Sequence, residues 1–195
     1  MAEVKKITLG SGKLYAMLFD DVLPDKDTIT VAENLLGYIQ GGATLEYKPT
    51  FYEAKDDLGY VQETIITEEE ATLKSGIMTW DGNTLAKLSD TARVTEDKDK
   101  KTRTVKIGGI GNMKREKYVL VFHHEDKIDG DIWVIIVGQN QAGFTLAFAK
   151  DKETVIDAEF KCLAQDDEGT LIQYIEKDAS ITDNLSMRSK QAEAK

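Results

Sequence analysis

The feature that most constrains this fold is a long run of alternating side chains on both sides of the turn-forming segment Asp56-Asp57-Leu58-Gly59. Polar and apolar residues alternate with a period of two, which predicts two β-strands. Strands joined by such turn residues predict one long hairpin. Its apolar face is predicted to contain Leu45, Tyr47, Phe51, Val61, Ile65 and Leu73. Its polar face is predicted to contain Thr44, Glu46, Lys48, Thr50, Gln62, Thr64, Glu68, Glu70 and Thr72.

The length of this hairpin predicts a partner outside the domain. Its first strand is expected to run from Leu45 to Asp56, or 12 residues, which is about 40 Å of extended chain. Typical strands have about 5–6 residues. A strand that outruns its own domain usually pairs with another chain. We expect the apolar face to pack toward the core, because a slip of one residue would expose every apolar side chain.

The rest of the chain predicts a mainly-β domain with one helix. Asp81 is the expected N-cap of a helix near 82–91. The charged segment 96–101 is expected to be a solvated loop. Further strands are predicted at 93–95, 102–107, 118–123, 132–137, 142–149, 155–162 and 170–175, with hairpins around 138–141 and between the last two. The roughly ten strands predict a β-sandwich or partly open barrel with the helix packed at one side.

The length of 195 residues predicts one domain plus appendages. We place the domain at residues 1–176. Periodicity is lost over 177–195, and we expect this tail to be flexible or ordered by a partner. The first residues contain no apolar core, so no signal peptide is expected. No apolar run approaches the ~20 residues that span a bilayer, and we expect folding in a reducing cytosol.

Charge is distributed unevenly along the chain. The net charge of −10 disfavours a general nucleic-acid binder. Residues 44–72 contain eight acidic and two basic residues, whereas residues 93–117 contain nine basic and four acidic residues. Such runs are usually solvated surfaces. The alternative is a pair of complementary surfaces that meet between subunits in head-to-tail association.

The sequence contains few residue patterns that indicate catalysis. Cys162 is the single cysteine, which excludes an internal disulfide, and its alternating apolar context predicts a small buried hydrophobe. His123 and His124 are adjacent on a predicted strand, so they point to opposite faces and are poorly placed to bind one metal ion. The segment 126–131 lacks EF-hand spacing, and Gly109-Ile110-Gly111 lacks the context of a phosphate-binding loop. We expect no enzyme, no cofactor and no metal.

Several stretches resemble those of phage tail tube proteins. They are Asn34–Tyr47, Glu68–Gly76, Trp80–Leu85, Lys106–Gly109 and Phe144–Phe160. The resemblance covers roughly residues 5–176 and rests on overall pattern, not on a catalytic signature. It implies a β-sandwich subunit with a flanking helix that forms hexameric rings. These rings stack into a hollow tube, in which hairpins of neighbouring subunits join into one β-barrel around a channel.

The resemblance also implies location and partners. DNA leaves the head through the channel, which a tape-measure protein fills beforehand. The expected partners are further copies of this chain, the tape-measure protein, the tail terminator and the tail-tip or baseplate proteins, but no membrane. The protein would assemble in the bacterial host cytoplasm and reside in the virion tail. The resemblance does not distinguish between a contractile tail, a flexible non-contractile tail and a headless particle.

Within such a tube, the predicted polar face would line the lumen. Its acidic side chains would repel DNA phosphates, since the Debye length is ~8 Å at physiological salt. Subunit and stacking contacts are expected at Asp56, Asp57, Leu58, Gly59, Lys98, Lys100 and Lys101. The alternative is a monomeric β-sandwich binding module for a carbohydrate or receptor. It would need exposed aromatic residues clustered on one face, whereas Trp80 and Trp133 lie far apart in the sequence.

Overall fold

The structure is a computed structural model that describes residues 10–58, 60, 62–128, 130–151 and 153–177. The described strands are β1 (Lys13–Leu18), β2 (Leu35–Lys55), β3 (Gln62–Ile77), β4 (Arg93–Asp97), β5 (Thr102–Lys106), β6 (Tyr118–His124), β7 (Ile132–Asn140), β8 (Ile156–Leu163) and β9 (Gln173–Glu176). The α-helices are α1 (Lys26–Ile29) and α2 (Gly82–Lys87), and short 3₁₀ turns span Ala32–Asn34 and Ile110–Asn112. The prediction of a mainly-β fold is confirmed.

Six antiparallel strands form a closed barrel, in which neighbouring strands follow the order β1, β2, β3, β8, β7, β6 and back to β1. Strand β6 closes the barrel, because it pairs with β1 on one edge and with β7 on the other. Its pairing with β7 runs from Tyr118↔Gly138 to His124↔Ile132. Strand β9 joins the part of β7 that β8 leaves free. Strands β4 and β5 form a separate two-stranded sheet.

The barrel interior is filled by alternate side chains of its strands. Leu14, Leu73, Leu120, Ile136 and Phe160 are all buried there. This pattern follows from the period-two geometry of strands, which sends every second side chain inward.

Strands β1, β6 and β7 are also buried on their outer face. Tyr15, Val119 and Trp133 point outward from the barrel but pack beneath Ile29 of α1 and Ile175 of β9. A strand covered on both sides reads as a continuous apolar run and shows no alternation.

Helix α2 begins where the sequence predicts. The Asp81 side chain accepts hydrogen bonds from the backbone N–H groups of Asn83 and Thr84, and the Thr84 hydroxyl completes a capping box. The helix ends at Lys87, before the predicted residue 91, because buried Leu88 is its C-cap and a turn follows. Helix α1 was not predicted, since its four residues are too few to show a helical period.

Three predictions about strands are wrong. Residues 142–149 form no strand; Phe144 and Leu146 pack against the barrel core from irregular chain and so imitate a strand's alternation. Consequently Gly138–Asn140 belong to β7 and not to a hairpin turn. The hairpin predicted between β8 and β9 does not form, because β8 already pairs with β3 on one edge and β7 on the other.

The hairpin of β4 and β5 is present, but its turn is shorter than predicted. Glu96 and Asp97 belong to β4, and only residues 98–101 form the turn. The Asp97 side chain accepts hydrogen bonds from the backbone N–H groups of Asp99 and Lys100, which stabilises the chain reversal.

Some predictions lie outside the described residues. These are the tail beyond residue 177 and the positions of Gly59, Val61 and Asp129. Among the described helices, none has the length and apolar character needed to cross a membrane.

Candidate assembly site

The hairpin of β2 and β3 extends well beyond the barrel. The two strands pair from Ile39↔Ile77 to Lys55↔Gln62. Strand β8 pairs with β3 only over Thr72–Ile77, and β1 pairs with β2 only over Leu35–Tyr38. Residues 47–55 and 62–71 therefore pair only with each other among the described strands. We call residues 46–58 and 62–71 the arm, and the turn after Lys55 its tip. Ten residues of strand correspond to about 33 Å.

The arm exposes both backbone edges and many apolar side chains. Tyr47 and Phe51 remain 47% and 57% exposed, and Tyr52, Ile65 and Ile66 are exposed as well. An isolated two-stranded ribbon is only marginally stable in water, and unpaired strand edges are templates for pairing with another chain. The arm is therefore built like a segment that another chain covers.

One face of the arm continues the barrel interior, and the other continues its outer surface. Directly opposed residues of an antiparallel pair share a face. Leu73 is buried in the barrel, and its partner Leu45 and the next pair Tyr47↔Ala71 continue the same face outward. We call this the inner face. The outer face contains Thr44, Glu46, Lys48, Thr50, Glu68, Glu70 and Thr72, as predicted for the polar face.

A β-bulge at Thr67 exchanges the faces of β3 relative to the simple alternation. Thr50 opposes Glu68, but the next residue, Phe51, opposes Ile66, so β3 has one extra residue there. The prediction that Gln62 and Thr64 share a face with Glu68 is therefore wrong. They oppose Lys55 and Glu53 on the inner face.

The predicted packing of the apolar face is confirmed only at its barrel end. Leu73 is buried, whereas Leu45, Tyr47 and Phe51 are exposed on the arm. Ile65 is also exposed, and it opposes Tyr52 on the outer face. The physical reason is that the arm runs past the last residue of β8 that pairs with it, so no second layer lies over it.

Charged contacts on the arm neutralise only part of its acidity. Lys48 pairs with Glu46 at 2.7 Å, and this hydrogen-bonded ion pair lowers the pKa of Glu46 and raises the pKa of Lys48. Further contacts join Lys55 to Glu53 at 2.7 Å, Lys161 to Glu70 at 3.0 Å, and the Tyr47 hydroxyl to Glu69.

Four arm carboxylates make no ion pair with any described residue, and one of them, Glu69, accepts only the Tyr47 hydrogen bond. Asp57 lies at the tip, Glu63 lies near it, and Glu68 lies beside the bulge. The tip therefore presents uncompensated negative charge.

A double-glycine bulge lies in the barrel part of β2, three residues before the arm begins. Gly41 and Gly42 have φ values of 80° and 83°, and they interrupt the ladder between Gln40 and Ala43. An added Cβ at Gly41 would meet nothing within 4 Å, so only the positive φ requires glycine there.

The β4–β5 hairpin, which we call the basic hairpin, lies at the opposite end of β2. The Thr84 hydroxyl of α2 donates to the carbonyl oxygen of Leu36, close to the first residue of β2, at 3.1 Å. Arg103 of β5 binds Asp81 at the start of α2, at 2.7 Å, and Glu96 at 2.8 Å. These contacts attach the basic hairpin to the first residues of β2, whereas the last residues of β2 belong to the arm.

The structure brings the predicted lysines together in one turn. Lys98, Lys100 and Lys101 are all exposed in residues 98–101. Lys100 pairs with Asp97 at 3.5 Å, whereas Lys98 and Lys101 pair with no described carboxylate. The other predicted contacts, Asp56, Asp57 and Leu58, follow the last residue of β2, so the two predicted sets of contact residues lie at opposite ends of this strand.

Cys162, His123 and His124, which were considered for catalysis, are held by burial, ring stacking and a backbone contact. Burial raises the pKa of the Cys162 thiol to about 11, as expected for a small buried hydrophobe. His123 stacks on Trp133 with ring centroids 4.8 Å apart, and burial lowers its pKa. On the other face of β6, Nδ1 of His124 lies 2.7 Å from the carbonyl oxygen of Ser11. The two adjacent histidines point apart, as predicted.

The sequence interpretation missed the residues that make the arm two-sided. Tyr52 and Ile66 are exposed on opposite faces beside the bulge. The adjacent pair Ile65-Ile66 was the available signal, because two consecutive apolar residues interrupt the alternation of β3.

Neither a protein-family model nor a curated protein matches this chain.

Proposed function

We propose that this protein is the structural subunit of a phage tail tube, which assembles into hexameric rings that stack around a channel for DNA. The observation that carries the proposal is the arm, a two-stranded ribbon with open edges and exposed apolar side chains. The resemblance of the sequence to tail tube proteins supplies the ring, the tube and the phage context. The proposal includes no catalytic step, cofactor or metal.

Assembly gives the arm the cover that its own barrel lacks. Fully burying one large apolar side chain contributes about 1.5–3 kcal/mol. Tyr47, Phe51 and Ile66 lie on the inner face and are roughly half exposed. Covering each of them would therefore contribute about half of that free energy, which adds up to several kcal/mol for each arm. A closed ring also removes strand edges that would otherwise recruit chains without limit.

The outer face of the arm is the proposed lumen surface. Ring symmetry would repeat Glu46, Glu68 and Glu70 around the channel and so form circles of negative charge. A narrow channel with such walls repels phosphate over about one Debye length, ~8 Å at physiological salt. DNA would then pass without a site at which to bind. Gln62 and Thr64 leave the proposed lumen set, because the bulge turns them to the inner face.

The other partners follow from the same architecture. A tape-measure protein would occupy the channel before ejection, and the terminator and the tail-tip or baseplate proteins would cover the two ends of the tube. Assembly would take place in the bacterial host cytoplasm, and the product would be the virion tail.

Negative-stain electron microscopy of the concentrated purified protein tests the proposal. We expect rings or tubes for the full chain. A control variant in which residues 48–70 are replaced by Asn-Gly should retain the barrel's cooperative thermal unfolding but form no rings. Uniform ~20 kDa particles for the full chain at all concentrations would contradict the proposal.

One observation favours a monomeric binding module as the second candidate. Tyr47 and Phe51 are two exposed aromatic residues on the same face of the arm. The tryptophans do not contribute, since Trp133 is buried and the Trp80 ring N–H donates to the carbonyl oxygen of Thr154. Binding of a glycan or receptor peptide by a stable monomer, lost in Phe51→Ala, would support this candidate against the tube.

A further inference from the structure

We propose that the tip of the arm of one copy docks on the basic hairpin of a second copy stacked along the tube axis. This inference rests on the proposed function and names the surfaces that join successive rings. The occupant of the basic hairpin is thus another copy of this chain, bound through the carboxylates Asp57 and Glu63.

The basic hairpin and the arm tip lie at opposite ends of β2. Strand β2 has 21 residues, about 65 Å of extended chain. The basic hairpin is attached at its first residues through α2, and the acidic tip follows its last residue, Lys55. Opposite charges at opposite ends of one strand suit head-to-tail contacts, which repeat without closing and so generate a stack.

Within one chain, the arm tip and the basic hairpin are too far apart to pair their charges. Each strand of the basic hairpin has five residues, about 17 Å, which is too short to span the length of β2. Asp57 and Glu63 at the tip, and Lys98 and Lys101 in the turn, accordingly have no ion-pair partner among the described residues.

Contacts between two arm tips, or between two basic hairpins, are electrostatically unfavourable. Residues 44–72 contain eight acidic and two basic residues, so two arm tips repel each other. Residues 93–117 contain nine basic and four acidic residues, so two basic hairpins also repel each other. Only the contact between an arm tip and a basic hairpin brings opposite charges together.

A charge-exchange experiment tests the inference on the full chain. The variant Lys98→Glu/Lys101→Glu makes the basic turn acidic, and Asp57→Lys/Glu63→Lys makes the arm tip basic. Each change converts attraction into repulsion, so we expect each to raise the protein concentration needed for tube growth by roughly tenfold or more. The quadruple variant restores opposite charges with their positions exchanged, and we expect it to form tubes again.

Matched controls separate this contact from general charge effects. Lys127 and Lys150 are exposed residues outside both surfaces, and Lys127→Glu/Lys150→Glu changes the net charge by the same amount as the basic-turn variant. This control should form tubes at the wild-type concentration. Thermal unfolding of every variant should match the wild type, which shows that the barrel is intact. For wild-type tubes, the required concentration should rise with salt, because the Debye length falls from ~8 Å to ~3 Å between 0.15 M and 1 M.

The outcomes distinguish the inference from the proposed function. Tube growth unaffected by both double variants, or a quadruple variant that does not recover, would overturn the inference and leave the tube intact. Normal growth of Lys98→Glu/Lys101→Glu together with lost binding of a single-stranded DNA oligonucleotide would also overturn it, since the hairpin would then serve nucleic acid. Failure of the wild type to form rings or tubes would overturn the proposed function itself.

Discussion

The Thr67 hydroxyl donates a hydrogen bond to the carbonyl oxygen of Thr50 across the arm, at 3.2 Å. This contact lies at the bulge where the ladder shifts from Thr50↔Glu68 to Phe51↔Ile66. A bulge bends a strand and increases its twist. The direction of residues 51–55 and 62–66, which lie beyond the bulge, therefore depends on this one extra residue. So do the surfaces of other subunits that these residues can contact.

Deletion of Thr67 should straighten the arm without exchanging its faces, since Phe51 would still oppose Ile66. We expect the thermal unfolding midpoint to match that of the wild type, because the bulge lies outside the barrel. We expect tube assembly to fail or to yield shortened, irregular tubes by electron microscopy. Thr67→Ser, which retains the hydroxyl and the residue count, is the control. Normal tubes from the deletion variant would show that the bend is not needed for assembly.

Hydrogen exchange should distinguish the arm from the barrel. Amide protons of residues 45–72 outside the barrel ladder should exchange fast in the monomer, because only one strand covers each of them, and slowly after assembly. Strands β6 and β7 pair on both edges and should be protected in both states. Strong protection of the arm in the monomer would contradict its proposed role.

Reversal of charge at Glu68 and Glu70 tests the lumen assignment. Glu68→Lys/Glu70→Lys should leave the fold intact, since both residues are exposed and such charges contribute at most about 1 kcal/mol. The tubes should then bind DNA with an affinity that falls steeply as salt rises, and phage carrying this change should eject DNA slowly.

The control for this charge reversal is Asp20→Lys/Glu33→Lys, which makes the same change at exposed positions outside the arm. Its tubes should not acquire DNA binding within the channel. A cryo-electron microscopy map that places Glu68 and Glu70 on the outer wall of the tube would eliminate the assignment.

The barrel core should be sensitive to loss of volume at a single position. Phe160 is buried inside the barrel, whereas Phe148 is exposed on irregular chain. Phe160→Ala should lower the free energy of unfolding by about 3–5 kcal/mol, as for other buried aromatic residues. Phe148→Ala should lower it by at most about 1.5 kcal/mol, because this exposed ring makes a tilted contact with Trp80. Equal losses in urea denaturation would contradict the described core.

His123 should make the protein less stable in mild acid. Burial lowers its pKa from the ordinary value of 6.5, although Glu125 and Asp131 act in the opposite direction. The unfolded state therefore binds a proton more readily, and the free energy of unfolding falls as the pH drops below about 6.5. His123→Phe keeps a ring against Trp133 and should lose less stability between about pH 7 and about pH 5.5. An equal loss in both proteins would refute this assignment.

Local patterns in the sequence were sufficient for several elements. The turn after Lys55, the polar and apolar faces of the arm next to the barrel, and the Asp81 cap all depend on residues close together in the chain. The candidate contact residues Asp57, Lys98 and Lys101 could also be found from charge alone. Period-two alternation, turn chemistry and capping act over a few residues, so a sequence shows them directly.

The pairing of distant segments was decided only by the tertiary structure. Alternation shows that a strand has two faces, but not which strand lies beside it, and so it could not predict that β6 closes the barrel against β1 or that β9 pairs with β7. Nor could it show that Phe144 and Leu146 reach the core without forming a strand. By itself the sequence determined the mainly-β class, the long hairpin and its charges. Closure of the barrel, the length of arm left uncovered and the bulge at Thr67 were decided by packing and pairing among residues far apart in the chain.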